Sequence, residues 1–246
     1  MSLEFLEPAA ADAVARSPMD RDAATAGASF AERDGWRVAT GYGAIALERD
    51  ACRTAIGFAD VSHLGKLELQ AGREEVAAIA AQIAGIDDLE LGRGENAAGA
   101  WWCPLTLERA LVICEPAARP ELRERLEGAA ADSGGPAGVV DVTTAFGALE
   151  LVGPLARETF ARFCAVDLRP DVTPVRGFRP GSVARTPGMI LRRADERYLM
   201  LFGASFGHYV WTVVADAAES LGGRPVGVDA LEQAAEPAAE EVTHRA

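Results

Sequence analysis

"GFADVSHLGKLELQAG", residues 57–72, sets the frame for the whole chain. Its second half alternates: Leu67 and Leu69 point one way and Lys66, Glu68 and Gln70 the other, the period of two of a half-buried strand. Asp60, Ser62 and His63 stand just before that strand, in a chain with 3 histidines. Short polar side chains at such an entrance satisfy free backbone N–H groups through local turns, and the His63 ring can donate to a carbonyl while packing its face. This structural role outweighs a ligand-binding one; a functional His63 would line a cleft between two halves of the chain.

Those halves come from a repeated order of elements. After the strand at 65–70, "REEVAAIAAQIAG" has helical spacing and a glycine stop at Gly85, "AWWCPLT" and "RALVICEP" read as a hairpin, "RPELRERLEGAAA" as an amphipathic helix and "AGVVDVT" as a strand. The order then recurs: strand "ALELVG" (148–153), a helix led by Pro154, strands "GSVART", "MILRRA" and "RYLMLFG", helix "ASFGHYVWTVVADAAESLGG", and a last strand around "RPVGV". The expected fold is α+β, two tandem split β-α-β units (β-α-β-β-α-β) with antiparallel sheets, helices on one face and a shared core. "GWRVATGY" and the run near Ile45 are expected to extend the first sheet. The units span about 27–146 and 147–231, between a flexible tail at 1–26 and an acidic tail at 232–246 that holds His244.

The formal net charge of −13 is spread along the chain, which disfavours nucleic acid and anionic membranes as partners. The N-terminus carries acids where a signal peptide carries bases, no stretch approaches a bilayer span, and the expected location is the cytoplasm. Cys52, Cys103, Cys114 and Cys164 lack metal or redox spacing and read as buried small hydrophobes. "GRGENAAG" reads as a loop, and no hydrolase, nucleotide or zinc-protease motif is present. Trp101 and Trp102 lie on opposite faces of one strand, so one is expected in the core and the other exposed as an interface anchor; Tyr209 on the last helix is a further interface candidate.

"GFADVSHLGKLEL" resembles the D-V-S-H stretch of the glycine cleavage aminomethyltransferase (T protein) family, "LELVGPLARETF" its L-x-G-P-x-A segment, and "SVARTPGMILRRADERYLMLFGASFGHYVWTVVADA" its closing hairpin and helix. Within that superfamily the γ subunit of heterotetrameric sarcosine oxidase is the nearer likeness, through "WWCPLTLERALVIC" and "VVDVTTAFGALELVGP". The resemblance implies a T-protein-like folate-binding fold. The family's paired aspartates are missing, since nothing acidic lies between Glu95 and Glu108; its R-T-G-Y-T-G-E segment is "ARTPGMILRR"; and Leu231 stands where its terminal arginine would.

No catalytic or metal residue is therefore assigned. Ser62, His63 and Arg185 are the cleft candidates for a cofactor, with tetrahydrofolate left open as a ligand. The resemblance implies a non-catalytic γ-like subunit of a sarcosine or related N-methyl-amine oxidase complex, with FAD or FMN in partner subunits. The alternatives are an independent tetrahydrofolate-dependent aminomethyl or methyl transferase, and a ligand-binding or assembly protein outside one-carbon metabolism.

Overall fold

A computed structural model describes residues 13–235. The chain opens with β1 (Ala15–Arg16) and α1 (Asp20–Thr25), and continues through β2 (Ser29–Arg33), β3 (Trp36–Gly41), α2 (Ile45–Thr54) and β4 (Gly57–Asp60). The first half then runs β5 (Gly65–Gln70), α3 (Arg73–Ala84), β6 (Glu95–Ala97), β7 (Ala100–Thr106), β8 (Arg109–Cys114), α4 (Arg119–Asp132) and β9 (Gly138–Asp141). The second half runs β10 (Phe146–Val152), α5 (Ala156–Ala161), β11 (Phe178–Val183), β12 (Thr186–Ala194), β13 (Arg197–Gly203), α6 (Gly207–Glu219), β14 (Arg224–Pro225) and α7 (Val228–Ala235). Gly85 acts as read, closing α3 in the left-handed conformation at φ 67°. Pro154 does not open its helix: it lies in a turn ahead of α5, after Gly153 at φ 140°, where a side chain would meet the Ala55 carbonyl oxygen at 2.5 Å.

The fold is α+β, with two main sheets. One has five strands in the order β6-β7-β8-β5-β9, the other six in the order β11-β12-β13-β10-β4-β14. In the first sheet β5 pairs antiparallel with β8 and β9; in the second β10 pairs antiparallel with β13 and β4. The halves repeat an order of elements, but β4, from ahead of the first half, occupies the place beside β10 that β9 holds beside β5, and β14 pairs parallel to β4 instead. The expected pair of self-contained split units is thus altered by a strand that crosses over.

The inner faces of the two sheets pack on each other through Trp101, Cys103, Leu111 and Ile113 from one and Ala148, Phe178, Leu191, Leu199 and Leu201 from the other. Helices α3 and α4 cover the outer face of the five-stranded sheet, burying Trp102, Val112, Leu67 and Leu69 against Val76, Ile79, Leu122 and Leu126. Helices α5 and α6 cover the other outer face through Phe160, Val210, Trp211 and Val214. The result is a helix–sheet–sheet–helix stack with three buried layers.

Several expectations are corrected by this stacking. Trp101 is 8 % and Trp102 0 % exposed, because both faces of β7 are covered, so the argument that one of the two indoles anchors a partner fails. For the same reason Lys66 and Glu68, read as solvent-facing, are buried. The segment 13–26 is not a tail: Met19 and Ala23 pack into the core against Phe58 and Phe202, and β1 pairs with β3. Strand β3 does not extend the first sheet but centres a separate three-stranded one, β1-β3-β2. The run near Ile45 forms α2, whose Glu48 carboxylate accepts the Tyr42 and Gly227 N–H groups at 2.7 Å each. Helix α7 carries order through Ala235, and the rest of the acidic C-terminus, His244 included, lies outside the described residues. Among the described residues, no helix is long and apolar enough to cross a membrane.

Candidate functional site

The segment 61–64 carries the chain from the six-stranded to the five-stranded sheet, and 142–145 carries it back. Lys66 ties the two crossings together. Its backbone N–H donates to Thr143 Oγ1 at 3.0 Å, and its ammonium donates to the carbonyls of Ser62 (2.8 Å), Leu64 (2.8 Å) and Thr143 (3.4 Å). Burial lowers this amine to about 8, against the pull of Asp60 and Asp141.

On one side of the first crossing, Asp60 Oδ1 accepts the Ser62 N–H at 3.0 Å and Ser62 Oγ accepts the Ala148 N–H at 3.0 Å, the capping role read for both residues. Burial raises the Asp60 carboxyl. His63 lines a cavity of about 10 Å³ with Ser17, Asp20, Trp36, Arg37 and Asp60, room for no more than a single water. That cavity faces the three-stranded sheet rather than the meeting of the two halves, so the cleft expected for His63 is elsewhere. Burial, with Lys66 and Arg33 nearby, lowers the ring to about 4, and among the described residues it makes no hydrogen bond. Arg185 is separate from both residues: it sits exposed at φ 61° in the two-residue turn between β11 and β12. The structure therefore does not assemble Ser62, His63 and Arg185 into one cofactor site.

The other side of the crossing opens on the seam between the sheets. Leu64, the residue after His63, joins Asn96, Gly99, Trp101, Ile113, Cys114, Glu115 and Arg193 around a pocket of about 240 Å³. Arg193 lies over the Trp101 ring, 5.8 Å from its centroid, and donates to Glu150 Oε1 at 3.1 Å. Glu150, 2 % exposed, also accepts Arg197 at 2.6 Å and 3.0 Å; although burial opposes its ionisation, Arg193 and Arg197 hold its carboxyl below the usual range. Glu115, exposed at the mouth, is raised by desolvation and by Glu150, Glu232 and Asp34, with Arg193 opposing. Sequence reading found Trp101 but not Glu115, Arg193 or Glu150. The signal available was "MILRRA": two adjacent arginines ending an apolar strand cannot both face water when the strand is covered on both sides.

Three of the four cysteines, Cys52, Cys103 and Cys114, are buried and Cys164 partly so; burial pushes the thiols of Cys52 and Cys114 up to about 11. Among the described residues no group of histidine, cysteine and acidic side chains is placed to hold a metal.

No protein-family model matches the chain, and no curated protein matches it in sequence. Solved structures do. Aminomethyltransferase T of the glycine cleavage system from Bartonella henselae superposes with a TM-score of 0.74 over 88 % of this chain at 17 % identity. A chain of the heterotetrameric sarcosine oxidase from Corynebacterium sp. U-96, in complex with pyrrole 2-carboxylate, superposes with a TM-score of 0.65 over 84 % of this chain at 24 % identity. This chain spans 60 % of the aminomethyltransferase and 96 % of the sarcosine oxidase chain. It has the T-protein-like fold that the D-V-S-H and L-x-G-P-x-A stretches resemble.

The acid that the resemblance places on the strand beside a folate is absent from β7, although Glu115 lines the seam pocket. That strand, Ala100 to Pro104, is buried throughout; it turns the Trp101 indole and the Cys103 thiol to the inter-sheet side and Trp102 to the layer under α3 and α4.

Proposed function

We propose that the chain is a non-catalytic, γ-like subunit of a sarcosine or related N-methyl-amine oxidase complex in folate-linked one-carbon metabolism, acting in the cytoplasm, with flavin and oxidative chemistry in its partner subunits. The observation that carries this reading is the make-up of β7, where a transferase needs an acid beside the substrate amine and this chain has Trp101, Trp102 and Cys103, of which Trp101 lines the seam. The partner surface moves from the tryptophans to α6, where Tyr209 is 44 % and Phe206, one turn earlier, 40 % exposed.

The second reading, an independent one-carbon transferase, draws on Glu115, a carboxyl with raised affinity for protons beside an aromatic wall. One experiment separates the two. The chain carrying an affinity tag is co-expressed with the flavin-containing subunits of a heterotetrameric sarcosine oxidase, and the purified chain alone is titrated calorimetrically with tetrahydrofolate. Co-purification of a flavin-containing oxidase, weakened by Tyr209→Ser, together with no saturable folate signal at micromolar concentration, is expected. A chain that purifies alone and binds tetrahydrofolate at low micromolar concentration belongs with the transferases.

A further inference from the structure

The seam pocket lacks an acid on β7, yet it is built as a site. Its wall is the face of Trp101 and its floor is Leu64 and Ile113. Arg193 is held there by a buried carboxylate, Glu150, so its guanidinium does not swing free. Only one of the five N–H donors of that guanidinium goes to Glu150, and its carbon lies over the indole, 5.8 Å from the ring centroid. Arg197 takes both oxygens of Glu150, so the remaining Arg193 donors have no side-chain partner among the described residues. A cation fixed next to an aromatic face in an open-mouthed pocket is complementary to a flat anion: the carboxylate reaches the guanidinium and the ring stacks on the indole.

We propose that the seam pocket binds a small planar carboxylate, its anionic group on Arg193 and its ring on Trp101. The volume limits the ligand. About 240 Å³ is the space of roughly eight waters, enough for a single ring with one acidic substituent. The Asn96 amide lines the same pocket and supplies a further donor.

Glu115 gives the site a proton-linked character. Burial and the charges of Glu150 on β10, Glu232 on α7 and Asp34 in the turn between β2 and β3 raise its carboxyl, while Arg193 on β12 opposes them, and Arg197 on β13 also feels its charge. An anion entering the pocket adds a negative charge beside it and drives it further toward its protonated form, in which it donates a hydrogen bond instead of repelling the ligand. Occupancy therefore strengthens as pH falls, until the ligand's own carboxylate is protonated. This site does not depend on assembly into an oxidase, and stands or falls separately from it.

The test uses the full chain with 4-fluorobenzoate as anionic probe and 4-fluorobenzamide as its uncharged counterpart, read by saturable broadening of the fluorine NMR signal. The benzoate is expected to bind at least about tenfold more tightly than the amide. Arg193→Gln should weaken it by a similar factor while Arg193→Lys, which keeps the charge, retains most of the affinity; the parallel variant covers the case that the glutamine variant fails to fold. Glu115→Gln should bind with an affinity that no longer varies between pH 5 and about pH 8. Equal binding of acid and amide, undiminished binding in a folded Arg193→Gln chain, or no saturable binding at about 10 mM probe would each overturn the proposal.

Discussion

Trp101 and Trp102 are neighbours in sequence and belong to two different parts of the molecule. Trp102 sits in the layer under α3 and α4, where apolar side chains surround it and its indole N–H has no partner. Trp101 sits at the inter-sheet seam, walling a pocket beside Arg193. The outer layer is held mainly by packing, with Arg125 of α4 donating to the Ile83 carbonyl of α3 at 3.0 Å. The seam combines packing with the Glu150 carboxylate and its two arginines, and with the Lys66 ammonium that ties the two crossings. A protein that kept its seam only for stability would do better with hydrophobic residues in place of a buried ion cluster, because desolvating charges offsets most of their attraction. The retained charges make the seam the place to test for chemistry.

The largest expected effect tests whether the outer layer is the structural one. Trp102→Ala removes a fully buried indole from a close-packed layer and should cost about 3–5 kcal/mol, measured as the shift of the urea midpoint at constant m-value. Trp101→Ala enlarges a pocket that already exists and should cost about half as much. Equal losses would show that the seam is packed like a core and erase the contrast.

The next effect sharpens the seam itself. Glu150→Gln leaves Arg193 and Arg197 without their shared carboxylate and should destabilise by about 2–4 kcal/mol. Arg193→Gln should cost under about 1 kcal/mol, because Arg197 still holds both carboxylate oxygens. If the two substitutions cost the same, Arg193 is a structural member of the cluster and not a group available to a ligand.

Much of the fold was legible because most elements signal themselves locally: the period of β5, the Gly85 stop of α3, the 100–114 hairpin and the apolar face of α6. What was not legible depends on how layers stack. Period-two alternation in "KLELQ" marks two faces but does not say that the second is covered by another sheet, which is why Lys66 and Glu68 read as surface and one tryptophan as exposed. The run "AIALERDACRT" has helical amphipathicity with Glu48 and Cys52 on its buried side, a period-3.6 signal masked by the expectation of another strand. The site was harder still. Glu115 follows β8 and Arg193 ends β12, far apart in sequence, and only sheet packing brings them to one pocket.

Lys66 lies between the two extremes. Lys66→Met should cost about 1–3 kcal/mol at neutral pH, since the carbonyls of Ser62, Leu64 and Thr143 lose their donor. The pH dependence has a definite sign. The folded value of about 8 lies below the ordinary 10.5, so between those values the unfolded chain binds the extra proton and stability rises with pH. Chemical denaturation at pH 8 and pH 10.5 should show that rise in the parent and not in Lys66→Met. An identical pH profile in both would mean that the amine reaches water and does not clasp the crossings.

The smallest effect concerns His63, and it separates a residue beside the site from one in it. The ring is held near 4 against an ordinary 6.5, first by desolvation and then by Lys66 and Arg33, with Asp34 opposing. Folding therefore favours the neutral ring: its contribution is fully present above pH 6.5 and is lost as pH falls toward 4, where the native ring must also take the proton. Solvent screening of a partly exposed ring keeps the difference to about 1 kcal/mol or less. His63→Leu should flatten the acid side of the stability profile by that amount. Because His63 faces the small cavity by Trp36 and Arg37 while its neighbour Leu64 faces the seam, the same substitution should leave fluorobenzoate affinity at the seam unchanged. A His63→Leu chain that keeps its acid sensitivity, or that loses the ligand, would show that the crossing segment does not divide the two pockets and that the histidine acts at the seam after all.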